Sequence, residues 1–411
     1  MKRAAIVQVR LALGPTPAIV GRLAFHGGRA IFECDAAFPI ARLNLSPFRF
    51  KPVGTNPLPG PALPFDGLHG LFADSLPDGW GRLLADRVFR KAGIDPQSVT
   101  PVERLARVGT RGMGALTYHP EIDAGEKPAA AIDLDRIAAE AIRILEDKTS
   151  KSDERLRLLA ANSGGARPKA AIWISPDGAC SAQPARDAEA WLVKFPSHTD
   201  DPAIGRIEYA YSLMMRDAGI DVPQTRLLVP KRRGYFATKR FDRRGAQRLH
   251  VHTLAGLLEC DFRAPTIGYR EAHKAVHLLT RDKRQVEEMF RRMCFNVLAK
   301  NKDDHPKNHS FVMDATGAWR LAPAYDVVLS AGSNGEHALI VGHAAKDPQI
   351  ADLLLVGKDV GLSQASLSRA IDRVRSIAAN WKIYADQAGL ARRTQDAVAA
   401  ALAPASKRHR S

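Results

Sequence analysis

Asp303 and Asn308 stand five residues apart in the polar run Asn301-Lys302-Asp303-Asp304-His305-Pro306-Lys307-Asn308. The run follows a long segment patterned as a helix and precedes the strand-like His309 to Met313. Such spacing suits transfer of a γ-phosphoryl group, in which a carboxylate receives the proton of the attacking hydroxyl and an amide oxygen holds a metal ion. Asp303 is the candidate catalytic proton acceptor, and Asn308 a candidate metal ligand. Asp304 lies one residue out of register. The turn Asp314-Ala315-Thr316-Gly317 and the strand-like Trp319 to Leu321 fold back as a hairpin. That hairpin brings Asp326 of Ala324-Tyr325-Asp326-Val327 close to Asn308 as a second metal ligand. A D-x-x-x-x-N spacing alone also occurs in solvated loops, so the hairpin and Asp326 carry most of the reading. Two carboxylates and one amide favour oxygen-bound Mg2+ over zinc, which prefers His and Cys. His305 and Lys307 share the loop and stand where they reach phosphates or orient the carboxylates, although a loop histidine is more often a surface residue.

Groups for the phosphates lie upstream. Asn162-Ser163-Gly164-Gly165-Ala166-Arg167-Pro168-Lys169 directly precedes an apolar strand. Its paired glycines let backbone N–H groups approach phosphate oxygens, and Lys169 adds a positive charge at the end of the turn. With two glycines it is no G-x-x-x-x-G-K-[ST] motif, and an ordinary hairpin turn explains it equally well. Lys194 sits inside the apolar strand Trp191-Leu192-Val193-Lys194-Phe195-Pro196, where an unpartnered ammonium is costly. It needs a carboxylate or a ligand phosphate, and Glu208 in the following helix is the best partner; the bland alternative is an edge-strand lysine facing water. Lys239-Arg240-Phe241 ends the last strand of this region, where backbone groups can meet an adenine edge. Lys231-Arg232-Arg233 reads as a solvated hairpin tip.

These residues need a two-part scaffold. From Ile6 to Phe38 short apolar runs broken by Gly14-Pro15 and Gly27-Gly28 predict strands and hairpins. Helices are predicted over 82–92, 101–108 and 132–147, with an irregular Pro/Gly-rich connection over 52–64. Beyond residue 151 come strands at 170–174 and 190–195, a helix at 206–217, then strands at 226–229 and 235–239. Strand, strand, helix, strand, strand is the order of a kinase small lobe. After about residue 250 the pattern turns mostly helical, its longest candidate at 283–300. The expected fold class is α+β and kinase-like: a small N-terminal α/β subdomain with helical connection (1–150), a β-rich small lobe carrying the nucleotide loop (151–245), an all-helical large lobe with the catalytic loop and metal site (246–405), and a basic tail (406–411).

Composition is that of a folded soluble protein, with 45% hydrophobic and 25% charged residues in 411. The start reads as a strand rather than a signal peptide, because Gln8 and Arg10 interrupt its apolar run. No stretch approaches the roughly 18 apolar residues of a membrane span. Cys34, Cys180, Cys260 and Cys294 are too scattered for a redox or metal motif, so no disulfide framework is expected and the cytoplasm is the natural compartment. The formal net charge of +16 is concentrated beyond residue 150. Such a field serves nucleotide phosphates, an acidic protein or nucleic acid, and charge alone does not choose among them.

With these pieces in order, the chain resembles the HipA family of serine/threonine kinases, the toxin halves of type II toxin–antitoxin modules. The matching segments are Leu71 to Pro77, Val108 to Leu116, Ser163 to Lys169, Leu192 to Pro196, Lys239 to Arg243, Asn301 to Asn308 and Leu321 to Asp326. By resemblance, Gly164, Gly165, Ala166, Arg167, Pro168 and Lys169 form the nucleotide loop, Lys194 is the phosphate lysine, and Lys239, Arg240 and Phe241 form the adenine hinge. His305, Pro306, Lys307, Asn308 and Tyr325 line the ATP site, and Asp326 binds magnesium. The resemblance implies ATP and Mg2+ as cofactors and a protein target, notably an aminoacyl-tRNA synthetase, whose phosphorylation arrests growth. It also implies a DNA-binding helix-turn-helix antitoxin of the HipB kind, which places the basic surface near operator DNA. One departure concerns regulation: the self-phosphorylated serine of some members falls at Asn162, and the adjacent Ser163 is the remaining candidate for autophosphorylation. Two other readings keep part of this picture. A kinase-fold enzyme with a small-molecule acceptor uses the same site, and a non-catalytic nucleotide-binding co-repressor acts through shape and charge.

Overall fold

In a computed structural model, residues 4–122, 131–148, 156–157, 159–160, 165–231, 233–245 and 247–403 are described. Asn162, Ser163 and Gly164 lie outside them.

The N-terminal strands β1 (Ile6–Leu11), β2 (Ala18–His26), β3 (Arg29–Cys34) and β4 (Leu58–Pro59) meander. Gly27 and Gly28 turn β2 into β3 with φ of 58° and 77°, values that favour glycine. After the short α1 (Gly70–Ala73) come α2 (Gly79–Lys91), α3 (Pro101–Val108) and β5 (Leu116–His119). A Thr100/Glu103 capping box and Pro101 in the first turn start α3 where the sequence predicts. The sheet order is β4-β3-β2-β1-β5. Every pairing is antiparallel, as the predicted hairpins require, so this subdomain is a β-meander packed with helices.

The helix α4 (Leu134–Leu145) precedes a second sheet of β6 (Lys169–Ile174), β7 (Cys180–Ser181), β8 (Glu189–Lys194), β9 (Thr225–Leu228) and β10 (Tyr235–Lys239), in the order β7-β6-β8-β10-β9. Between β8 and β9 runs α5 (Ile204–Asp217). Trp80 and Leu84 of α2 and Ile137, Ala141 and Ile144 of α4 share one core with Ile172, Trp191 and Val193 of the sheet. The opposite side is closed by α5, whose Ile207, Tyr211 and Met214 belong to the core of the helical lobe.

A small hairpin, β11 (Arg243–Arg244) and β12 (Gln247–Arg248), leads to β13 (His250–Thr253), α6 (Leu254–Leu258), α7 (Tyr269–Thr280) and α8 (Lys283–Leu298). The large lobe is not all helical. Strands β14 (Ser310–Met313) and β15 (Trp319–Leu321) form a three-stranded sheet with β13, and β16 (Glu336–Val341) pairs with β17 (Ala344–Lys346). The β14–β15 hairpin is the one its turn residues predict; its docking on β13, some 60 residues earlier, leaves no local trace in the sequence. Helices α9 (Ile350–Asp359), α10 (Gln364–Ala379), α11 (Trp381–Gln387) and α12 (Arg392–Leu402) complete the lobe. No described helix is long and apolar enough to cross a membrane.

Candidate active site

The β14–β15 hairpin, the loop after α8, the end of β8 and the turn before β6 converge on a cleft of about 540 Å3. Lys194, the last residue of β8, is buried, and its Nζ donates to Glu208 Oε1 on α5 and, at 2.5 Å, to Asp326 Oδ1. Burial disfavours the ammonium, but Asp326 and Glu208 outweigh it and hold the Lys194 pKa above its ordinary value. Burial likewise works against the Asp326 carboxylate, and Lys194 and Lys169 overturn this, holding its pKa well below the usual range. Asp326 has φ of 57°, a left-handed conformation that an aspartate tolerates better than most residues and that clusters at functional sites.

Lys169, the first residue of β6, is buried beside Asp326 and Asp78, and burial and Lys194 lower its pKa. Gly165 has φ of 98°, and a Cβ there would stand 2.7 Å from Lys169 Nζ and 3.7 Å from Asp326 Oδ2. The backbone at Gly165 therefore comes as close to the charged cluster as only glycine allows. Arg167 turns to Asp200 at 3.1 Å, and Ala166 lines the cleft beside it. Pro168 accepts the Phe195 N–H at 2.8 Å, fixing the loop to the strand end that carries Lys194.

Across the cleft, Asn308 Nδ2 donates to the Asp303 carbonyl at 2.8 Å, which leaves the Asn308 amide oxygen as the group for a cation. Pro306 starts the short helical turn between them. The Asp303 side chain is 62% exposed, and His305 Nε2 stands 3.8 Å from its Oδ1. Partial desolvation on the side facing the cleft, with the negative charges of Asp326 and Asp304, raises the Asp303 pKa, against a lowering by His305. The neighbouring Asp304 has the opposite fate. Fully buried, it accepts from Tyr269 Oη at 2.7 Å, His337 Nδ1 at 2.9 Å and the Ala338 N–H at 2.8 Å, which pins the loop and leaves Asp303 facing the cleft. Tyr325 hydrogen-bonds Ser310 and the Lys307 carbonyl, and its ring stacks on Phe241 at 5.7 Å.

At the strand end 239–241, where the resemblance implies an adenine hinge, Lys239, Arg240 and Phe241 all line the cleft. The N–H groups of Lys239 and Arg240 are bonded to Gln224 O and Ala190 O, both at 2.8 Å. Lys239 Nζ meets Glu189, and the Arg240 guanidinium turns to Asp242 and Gly112 O. Phe241 is the member of the three whose ring meets a cleft residue of the helical lobe.

Several groups at the cleft escaped sequence reasoning. Asp78 contacts both the glycine loop and Lys307, Asp74 binds Thr253, and Phe262 lies against Lys307 and His305. The local signal was the segment Leu71 to Pro77, which holds Asp74; Asp78 falls one residue beyond it, where it also reads as a plain helix start. Among the described residues, no three His, Cys, Asp or Glu side chains gather into a metal cluster. A cation here would draw on the Asn308 amide and Asp326 and complete its shell with phosphate oxygens and water, which is the habit of Mg2+.

A five-stranded lobe whose central lysine is paired to a helical glutamate, set over a mainly helical lobe with an aspartate–asparagine loop, is a kinase-like fold. The chain belongs to the HipA family: the HipA-like C-terminal domain matches residues 161–381 and the HipA N-terminal domain residues 16–119. It is 26% identical over 359 residues to the "Putative kinase Y4dM" of Sinorhizobium fredii, covering 80% of this chain and 78% of that protein. A Haemophilus influenzae protein of similar designation is 29% identical over 148 residues, covering 32% of this chain and 43% of its own. The fold is similar to HipA of Shewanella oneidensis, solved with HipB and operator DNA, with a TM-score of 0.65 at 16% identity over 96% of this chain and 94% of that one.

Proposed function

We propose that this chain is a HipA-like protein serine/threonine kinase that moves the γ-phosphoryl group of ATP to a hydroxyl of a target protein. The observation that carries the reading is the position of Lys194, which reaches Glu208 and Asp326 at once, opposite Asp303 and Asn308 in the same cleft.

In this reading Lys169, Lys194 and the amides of Ala166 and Arg167 hold the phosphates, while the Gly165 N–H is held by Asp78. Asp303 orients the acceptor hydroxyl and takes its proton, and its raised pKa makes it a better base than an ordinary aspartate. The Asn308 amide and Asp326 would hold Mg2+, which when bound neutralises charge on the transferred group. Phe241 and Tyr325 offer apolar surface to the base, a role the engaged amides of Lys239 and Arg240 do not supply. A HipB-like helix-turn-helix antitoxin is the proposed partner, with operator DNA met through it, on the strength of the fold shared with the Shewanella protein and of the +16 net charge. The acceptor is proposed to be a protein such as an aminoacyl-tRNA synthetase. Incubating the purified chain with radiolabelled ATP and either cell lysate or a metabolite pool tests this: label in protein supports the reading, and label confined to metabolites overturns it.

A further inference from the structure

Asp78 stands at the N-cap of α2, where an aspartate ordinarily accepts a hydrogen bond from the second or third N–H of its own helix. Its side chain makes no such bond. Instead Oδ1 accepts the Gly165 N–H at 2.6 Å and Oδ2 accepts Lys307 Nζ at 2.7 Å. The next two residues continue the contact. Trp80 N–H donates to Gly165 O at 3.1 Å, and Gly79, at φ of 43°, lies so close that a Cβ there would stand 2.5 Å from that same oxygen. A second anchor fixes the segment from its other end: Asp74, buried, accepts from the Thr253 N–H and Oγ1, both at 2.7 Å, and from His252 Nδ1 at 2.6 Å. Residues 74–80 thus form a strut with one foot on the helical lobe and the other on the nucleotide loop.

We propose that Asp78 is a positioning residue that sets the glycine loop and Lys307 in register with each other, so that the N-terminal domain forms part of the phosphate site. The proposal rests on the kinase reading. A carboxylate held among Gly165, Lys307 and Lys169 is already counterbalanced, and its depressed pKa, set by Lys307, Gly165 and Lys169 against the effect of burial, agrees with a permanent anion. Each contact of Asp78 joins groups that are distant in the chain, and each falls on a residue lining the cleft. A cap serving only α2 would have neither property.

Two measurements on the full chain test this. In hydrogen exchange without nucleotide, Asp78→Ala speeds exchange in the peptide spanning Gly165 to Lys169 by about tenfold or more, the equivalent of one lost hydrogen bond to a charged group. Asp78→Asn, which keeps an oxygen for the Gly165 N–H, gives a smaller increase, and β1 to β5 stay as protected as in the wild type. In phosphoryl transfer, Asp78→Ala raises the KM for ATP by about tenfold with a smaller change in kcat, and Asp78→Asn falls between it and the wild type. Unchanged exchange at Gly165, or loss of protection spread through the N-terminal sheet, overturns the proposal. An unchanged KM does so as well. A wild-type chain that neither binds nor turns over ATP sinks the kinase reading, and the exchange data then decide alone whether Asp78 anchors the loop.

Discussion

Lys194 Nζ lies 2.5 Å from Asp326 Oδ1, joining the strand end of one lobe to the hairpin end of the other across 132 residues of chain. The same ammonium holds Glu208, so a single buried cation ties β8, α5 and the segment after β15. Removing it leaves two carboxylates facing each other in a buried space. Lys194→Ala is expected to abolish ATP turnover and to destabilise the fold by about 3–5 kcal/mol, the usual result of breaking a buried pair from one side. Chemical denaturation and an ATP-binding titration check the two effects separately.

Gly165→Ala places a methyl group against Lys169 Nζ at a residue with φ of 98°. The strain exceeds the few tenths of a kcal/mol that alanine gains in an ordinary loop, so the loop must shift. ATP affinity is expected to fall by about tenfold with the melting temperature little changed, since the loop adds little to the core. Isothermal titration and a thermal scan measure both.

Catalysis should fail on the acid side at a pH above the ordinary aspartate range of about 3.9, because the Asp303 carboxylate must be ionised to take a proton and its pKa is raised. Asp326 and Asp78, both depressed, stay ionised through that window and do not set the limb. His305 lowers the Asp303 pKa, so His305→Gln should move the acid limb of kcat/KM upward. A pH–rate profile of the wild type and this variant reads the shift; a limb that moves downward would contradict the assignment.

Much of this site was legible because burial forces pairing. A lysine inside Trp191-Leu192-Val193-Lys194 needs a carboxylate, and Glu208 in the following helix is the best candidate the sequence offers. The β14–β15 hairpin and Asp326 followed from a turn sequence and two short apolar runs. Asp78 was not legible, because an acid before Gly79-Trp80 has an adequate local explanation as a helix cap, and its partners are 87 and 229 residues away. Asp304 lies out of register in the sequence pattern, yet its burial under Tyr269 and His337 is what presents Asp303. The engagement of Arg240 with Asp242 depends on the arrival of Gly112 and Gly114 from the N-terminal part, which no short motif records.

Asp242 supplies a stability test independent of chemistry. It is fully buried, takes bonds from Arg240, Arg243 and the Gly114 N–H, and its pKa is depressed by both arginines against the cost of burial. Asp242→Ala should cost about 3–5 kcal/mol near neutral pH. A depressed carboxylate contributes fully above its unfolded pKa, about 3.9, and loses that contribution as pH falls toward the folded value. The gap between wild type and variant in urea denaturation should therefore narrow below about pH 4.

The central claim is that Asp303 drives phosphoryl transfer to a protein. Phosphoproteomics after brief expression of the wild type and of Asp303→Asn tests it most directly. Serine or threonine sites that appear with the wild type and are missing with Asp303→Asn, at equal protein levels, are the expected result; the same sites in both, or growth arrest by both with no new site in either, would contradict it.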